Sequence, residues 1–185
     1  MAFQPMETDR LVIRRFRPDD HMALYAYLSK ESVVRYEPYE PYTMEQARRE
    51  AEFRSYSEDF FAVTLKDGTL IGNLYLGRRE FDSRELGFVF DDCWQRCGYA
   101  TEASRAMLDY AFDMLGAHRV VASCDPRNVR SWKLMERLGM RREGDFKQNV
   151  WFRKGAGGQP IWQDTLQYGI LKDEWESLKE RKSMT

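Results

Sequence analysis

Short runs in which apolar residues recur at every second position alternate along this chain with longer runs in which they recur every third or fourth. Between Thr8 and Phe16, Leu11, Ile13 and Phe16 stand among basic neighbours, the pattern of a short first strand. Pro18-Asp19-Asp20 opens a helix that offers Met22, Leu24, Tyr25 and Leu28 to a core. Two prolines make Tyr36 to Tyr42 a loop, and Thr43-Met44-Glu45-Gln46 reads as a capping box that starts a charged helix reaching about Ser57. Phe60 to Leu65 and Leu70 to Leu76 predict strands joined at Asp67-Gly68. Arg84 to Phe90 predicts another, with Leu86, Phe88 and Phe90 on one face and Glu85, Gly87 and Val89 on the other. From Tyr99 to Leu115, Ala100, Ala103, Met107, Leu108, Ala111 and Phe112 fall at helical spacing, and Gly116 sits where a helix ends. A strand over Arg119 to Cys124 and a helix over Asn128 to Leu138, ending at Gly139, come next. A strand pair over Met140 to Arg153 and Ile161 to Leu171 follows, then a tail helix from Asp173.

That order predicts a mixed α/β (α+β) architecture: a mostly antiparallel sheet with helices on both faces. A length of 185 residues suits one domain, 1–185, with a core of its own, and no repeat or linker divides it. With 43% hydrophobic and 32% charged residues, the composition is that of a globular protein rather than a disordered one. A formal charge of -1 leaves no chain-wide basic field for nucleic acid or anionic membrane, so neither is expected as a partner. No apolar run is long enough to span a bilayer, and the first residues lack the basic start and apolar stretch of a secretion signal. Cys93, Cys97 and Cys124 are odd in number and match no paired metal motif, which reads as reduced thiols, no metal and a cytoplasmic address.

Gln95-Arg96-Cys97-Gly98-Tyr99-Ala100-Thr101-Glu102-Ala103 carries the most chemistry, because it lies between a strand and a long helix. A helix N-terminus offers free backbone N–H groups and the positive end of the helix dipole to a phosphate. Gly98 lets backbone approach an anion with no Cβ in the way. Neither the P-loop nor the three-glycine dinucleotide fingerprint is present. By itself this segment also fits an ordinary tight helix start.

Its neighbours make it specific. Gln95-x-x-Gly98-x-Ala100, read as Gln/Arg-x-x-Gly-x-Gly/Ala after a Phe/Val-rich strand, resembles the acyl-CoA pyrophosphate loop of the GNAT acetyltransferases. Gly98 to Ala103 is especially similar to the branch that acetylates the N-termini of ribosomal proteins. Asn128-Val129-Arg130-Ser131 to Met140 looks like that family's Asn-x-x-Ser helix, and Trp162 to Tyr168 with Glu174-Trp175 like its last strand. The opening Thr8-Asp9-Arg10-Leu11 fits as well, so the likeness covers nearly the whole chain in the right order.

The resemblance implies a GNAT acyl-CoA N-acyltransferase fold and an N-acetyltransferase using acetyl-CoA. It implies that the backbone of Phe88, Val89 and Phe90 pairs with the pantetheine arm and supports a developing oxyanion. Gln95, Arg96, Cys97, Gly98, Tyr99, Ala100 and Thr101 would surround the pyrophosphate. Asn128 would bond the pantetheine arm, with helix N-capping as its structural alternative, and Ser131 would protonate the departing thiolate. Many relatives use a tyrosine for that last step, and none occurs between Asn128 and Gly139.

Amine acetylation requires a neutral amine, easier for a peptide α-amine near pKa ~8 than for a lysine near ~10.4. Glu85, on the strand that would hold the thioester, is the expected general base; the alternative is a strand carboxylate paired with Arg84 or another cation. Asp164 is the weaker rival for that base and reads rather as structural. Glu37, Tyr39 and Glu40, within a cluster of tyrosines, could attract a cationic acceptor or simply pack. Trp132, Trp151 and Trp162 read as core or interface. The expected reaction is direct transfer in a ternary complex to a primary amine, a peptide N-terminus foremost. A catalytically inactive acyl-CoA-binding sensor or interaction module is the alternative, and a homodimer is compatible with the family.

Overall fold

The computed structural model describes residues 3–183. Its backbone is mixed α/β, and among the described residues strand pairing is mostly antiparallel, with one pair parallel. Two compact units are formed from interleaved segments. One holds the chain through Gly77 together with Leu86–Met107; the other holds Arg78–Glu85 and the chain from Leu108 onward.

The first unit begins with β1 (Met6–Glu7), β2 (Leu11–Arg15), β3 (Phe60–Leu65) and β4 (Leu70–Arg78), paired antiparallel in that order. The turn at Asp67-Gly68 forms as expected, and Gly68 adopts a φ of 91°. Strand β5 (Ser83–Phe90) brings its last residues alongside β4, where the Asp91 N–H donates to the Ile71 carbonyl at 3.0 Å. Two helices, α1 (His21–Leu28) and α3 (Met44–Tyr56), cover this sheet through a cluster of Phe16, Leu24, Tyr27, Leu28, Val34, Ala51 and Ala62. Phe61 and Val63 point the opposite way from Ala62 and are buried too, so β3 is covered on both faces. The capping box is reciprocal: the Gln46 N–H donates to Thr43 Oγ1, and the Thr43 N–H donates to Gln46 Oε1. A short helix, α2 (Glu31–Val34), and the two-residue β1 are elements that periodicity could not register at such length.

Helix α4 (Tyr99–Asp109) runs on into one π-helical turn, Tyr110–Met114, which ends at Gly116 with φ at 64°. The extra residue in that turn keeps Ala111 and Phe112 buried together.

In the second unit, Ser83–Glu85 of β5 pair in parallel with β6 (Arg119–Cys124), which pairs antiparallel with β8 (Pro160–Leu171), and β8 with β7 (Arg141–Lys154). Before Leu166, β8 pairs with β7 alone, and this ribbon exposes Trp151, Phe152, Ile161 and Trp162. Trp151 and Trp162 therefore do not belong to a core. Helix α5 (Val129–Arg137) is tied to β8 where the Tyr168 hydroxyl donates to Glu136 Oε1 at 3.2 Å. Helix α6 (Lys172–Ser183) buries Trp175, whose indole N–H donates to Asp109 at 2.9 Å. No helix among the described residues is long and apolar enough to cross a membrane.

Candidate functional site

In the first unit the chemistry gathers where β5 ends. Phe90 is buried and Phe88 half-buried, while Val89 points to the other face and packs against the α1–α3 cluster. Gly72 on β4 makes room for this segment: a Cβ there would meet the Val89 carbonyl at 2.6 Å and the Phe90 ring at 2.7 Å. The Asp91 carboxylate then accepts from the Cys93 N–H and turns the chain into a 3-10 turn over Asp92–Trp94. Lys30 inserts its ammonium here, 2.6 Å from Asp91 and 2.8 Å from Asp92. Asp91, Asp92 and Cys93 could together ligate a metal ion, but a protein cation is already bonded to both carboxylates. Lys30 and Ser32 hold the Asp92 carboxyl well below the usual carboxylate range.

Seven predicted loop residues follow. Gln95 donates its side-chain amide to the Phe90 carbonyl at 3.2 Å, which folds the loop back over the strand end. Arg96 and Gly98 take positive φ values of 64° and 84°, and Arg96 and Cys97 are exposed. Gly98 accepts the first helical bond of α4, from Glu102 at 3.0 Å. The N–H groups of Gly98, Tyr99, Ala100 and Thr101 consequently take no protein acceptor among the described residues. Four adjacent free donors thus stand at the positive end of an 11-residue helix, where an anion is electrostatically favoured.

Glu37 and Tyr39 come together elsewhere in the same unit, whereas Glu40 is exposed. Burial pushes the Glu37 carboxyl up to about 7, opposed by the charge of Arg54. The Tyr39 ring lies 5.1 Å from Tyr42, and burial raises its phenol above the ordinary range. Arg54 is only 2% exposed, donates to Glu50 at 2.7 Å, and lies over the rings of Phe60 and Phe16. Composition concealed this arginine, which looks like one more charge on a charged helix; its place on the face of Ala47 and Ala51 was the available signal.

In the second unit, Glu85 opens into a cavity of about 990 Å³ with Val121 and Phe146 among its apolar lining. Ser123, Asn149, Thr165 and Gln167 give it a neutral polar wall. Glu85 accepts from Arg79, which is the other cation, in place of Arg84, of the paired-carboxylate alternative. Both bonds go to Oε2, through Nε and Nη2, and Oε1 takes no protein donor among the described residues. Asn128 caps α5, its side-chain oxygen accepting from the Ser131 N–H at 3.3 Å. The half-buried Ser131 hydroxyl makes no hydrogen bond among the described residues. Asp164 accepts from the Gln148 N–H at 2.9 Å and pairs with Lys147.

Residues 10–141 match the family model for the acetyltransferase (GNAT) domain, and the chain belongs to that family. It is an N-acetyltransferase. The N-acetyltransferase YnaD of Bacillus subtilis is 37% identical over 174 residues, covering 91% of this chain and 97% of that protein. The [ribosomal protein uS5]-alanine N-acetyltransferase of Escherichia coli is 28% identical, covering 92% of each. A GNAT-family acetyltransferase structure from Bacillus anthracis superposes with a TM-score of 0.84 at 32% identity, covering 92% of this chain and 99% of that one.

Proposed function

We propose that this chain transfers the acetyl group of acetyl-CoA to a protein N-terminal α-amine, by direct attack in a ternary complex. The observation that carries the cofactor half is the run of free N–H groups at Gly98, Tyr99, Ala100 and Thr101, which suits a pyrophosphate. Arg96, exposed beside them, adds a cation. The backbone of Phe88, Val89 and Phe90 pairs with the amide-rich pantetheine arm, and Asn128 adds a side-chain bond to it. The acceptor half draws support from the name of the Escherichia coli relative and from the lower basicity of an α-amine, which needs less help to lose its proton.

In the reaction, the neutral amine attacks the thioester carbonyl and forms one C–N bond. Glu85 takes the departing ammonium proton through Oε1, the oxygen Arg79 leaves open, directly or by way of a water. A strand N–H near Val89 stabilises the oxyanion. Collapse breaks the C–S bond, and Ser131 relays to the thiolate a proton that it takes in turn from water; a thiol pKa near ~8.5 makes even the bare thiolate a workable leaving group. Glu37 and Tyr39 attract the incoming ammonium by charge and by an aromatic face.

Calorimetry with acetyl-CoA, followed by CoA-release assays against a panel of peptides and small amines, tests this. Tight binding with release driven by peptides bearing a free N-terminus is the expected result. Release driven by polyamines alone overturns the acceptor, and binding without release for any amine favours a sensor.

A further inference from the structure

Glu102 stands in the first turn of α4, where its charge is four residues from Gly98. An acidic side chain there ordinarily folds back over the helix N-terminus, to its own N–H groups and the dipole. Here it turns away. Oε1 accepts from Thr8 Oγ1 at 2.6 Å and from the Arg10 N–H at 3.0 Å. Oε2 accepts from Arg10 Nε at 2.7 Å and pairs with Arg10 Nη2 at 2.6 Å. Burial would raise this carboxyl, but the bonds from Thr8 and Arg10 prevail and hold it below its usual range, so it is ionised. The remaining nitrogen, Nη1, donates to the Cys97 carbonyl at 2.9 Å, and the guanidinium lies 4.5 Å over the Tyr99 ring. Gly98 packs so close that a Cβ would stand 3.3 Å from Arg10 Nη2.

We infer that Arg10 is a positioning residue for the cofactor's pyrophosphate: it masks the Glu102 carboxylate and pins the Cys97 carbonyl away from the loop's N–H groups. The inference rests on the proposed pyrophosphate site at Gly98–Thr101. Two effects combine. An ionised carboxylate beside a polyanion repels it over several ångströms unless a cation is paired with it. A loop carbonyl free to rotate would also place a second negative dipole at the helix N-terminus. With Arg10 in place, the helix N-terminus is left to an external anion rather than to the helix's own acid.

The test pairs two variants with two thioesters. Arg10 is about half exposed, with 47% of its side chain accessible, so Arg10→Met should leave the fold intact. It should raise the KM for acetyl-CoA roughly tenfold while leaving kcat nearly unchanged. With S-acetylpantetheine, which has the thioester arm and no pyrophosphate, kcat/KM should not move. Adding Glu102→Gln to Arg10→Met should recover much of the lost affinity, since the unmasked charge is gone. The inference is overturned if Arg10→Met binds acetyl-CoA as tightly as the wild type. Equal losses with both thioesters, or a double variant as weak as the single one, overturn it as well. Wild-type protein that binds no CoA overturns the pyrophosphate site itself, a distinct failure.

Discussion

Arg79 grips a single oxygen of Glu85: Nε and Nη2 both donate to Oε2, and Oε1 is left without a protein donor among the described residues. The pair therefore orients a carboxylate in the wall of the 990 Å³ cavity while keeping one of its lone-pair faces available. Glu85→Gln keeps the shape, keeps the Arg79 contact through the amide oxygen and removes the proton acceptor. Its kcat/KM for the amine should fall roughly a hundredfold at neutral pH, with acetyl-CoA affinity unchanged in calorimetry. Turnover at wild-type rates under subsaturating amine would sink the base assignment.

Glu37 supplies a pH signature. Its carboxyl, raised to about 7 by burial against the charge of Arg54, is neutral in the folded protein over a range where the unfolded chain has already ionised it. The folded state then binds the extra proton between the ordinary carboxylate value and about 7. Stability attributable to this group is present in acid, falls as pH rises through that window, and is flat above it. Glu37→Gln should gain on the wild type across the same interval, by on the order of 2 kcal/mol at the alkaline end. Urea unfolding at pH 4.5 and pH 8 measures the difference; a constant offset would show that Glu37 is an ordinary surface acid. If the same carboxylate attracts the acceptor, amine KM should drop as pH rises through 7 in the wild type and not in the variant.

Gly72→Ala should be costly for its size. The added methyl meets the Val89 carbonyl and the Phe90 ring well inside contact distance, and neither is the loose end of a flexible side chain. A loss of about 1–3 kcal/mol is expected from denaturant midpoints, together with weaker acetyl-CoA binding because the end of β5 is displaced. Full stability would mean that β4 and β5 part more easily than their packing suggests.

The three thiols should separate under alkylation at pH 8. Cys93 and Cys97 are exposed, whereas burial, helped by Asp125, pushes the half-buried Cys124 thiol up to about 12. Mass mapping should find Cys93 and Cys97 modified first and Cys124 spared. Acetyl-CoA should protect Cys97, inside the proposed pyrophosphate loop, and leave Cys93 reactive. Protection of neither would place the cofactor elsewhere.

Much of the framework was readable because it is local. The Thr43–Gln46 box, the Asp67-Gly68 turn and the glycine stops at 116 and 139 each use a few adjacent residues, and all appear where periodicity put them. The loop proposed for the pyrophosphate stood out for the same reason: a glycine, a strand before it and a helix after it. What stayed hidden depends on partners far apart in the chain. Arg79, six residues before Glu85, could not be preferred over adjacent Arg84 without knowing how the turn between β4 and β5 folds. The mask on Glu102 comes from 92 residues away, and the buried Arg54 looked like a solvent charge. Trp151 and Trp162, read as core or interface, are not core. Large apolar rings suggest a core, but the strand pair that bears them extends past the last residue β6 can cover.

The interleaving of the two units sets a timetable for synthesis. A ribosome works from the N-terminus, so the first unit lacks its last segment until residue 107 has been made. Arg78–Glu85, which includes the proposed base, emerges before its own unit has begun its main segment at Leu108. That short stretch must wait, joined at both ends to the other unit's chain, until β6 is synthesised and can pair with it. No single cut in the gene releases either unit as a continuous fragment, so split or truncated versions of this enzyme should fail to assemble wherever the break falls between residues 78 and 107.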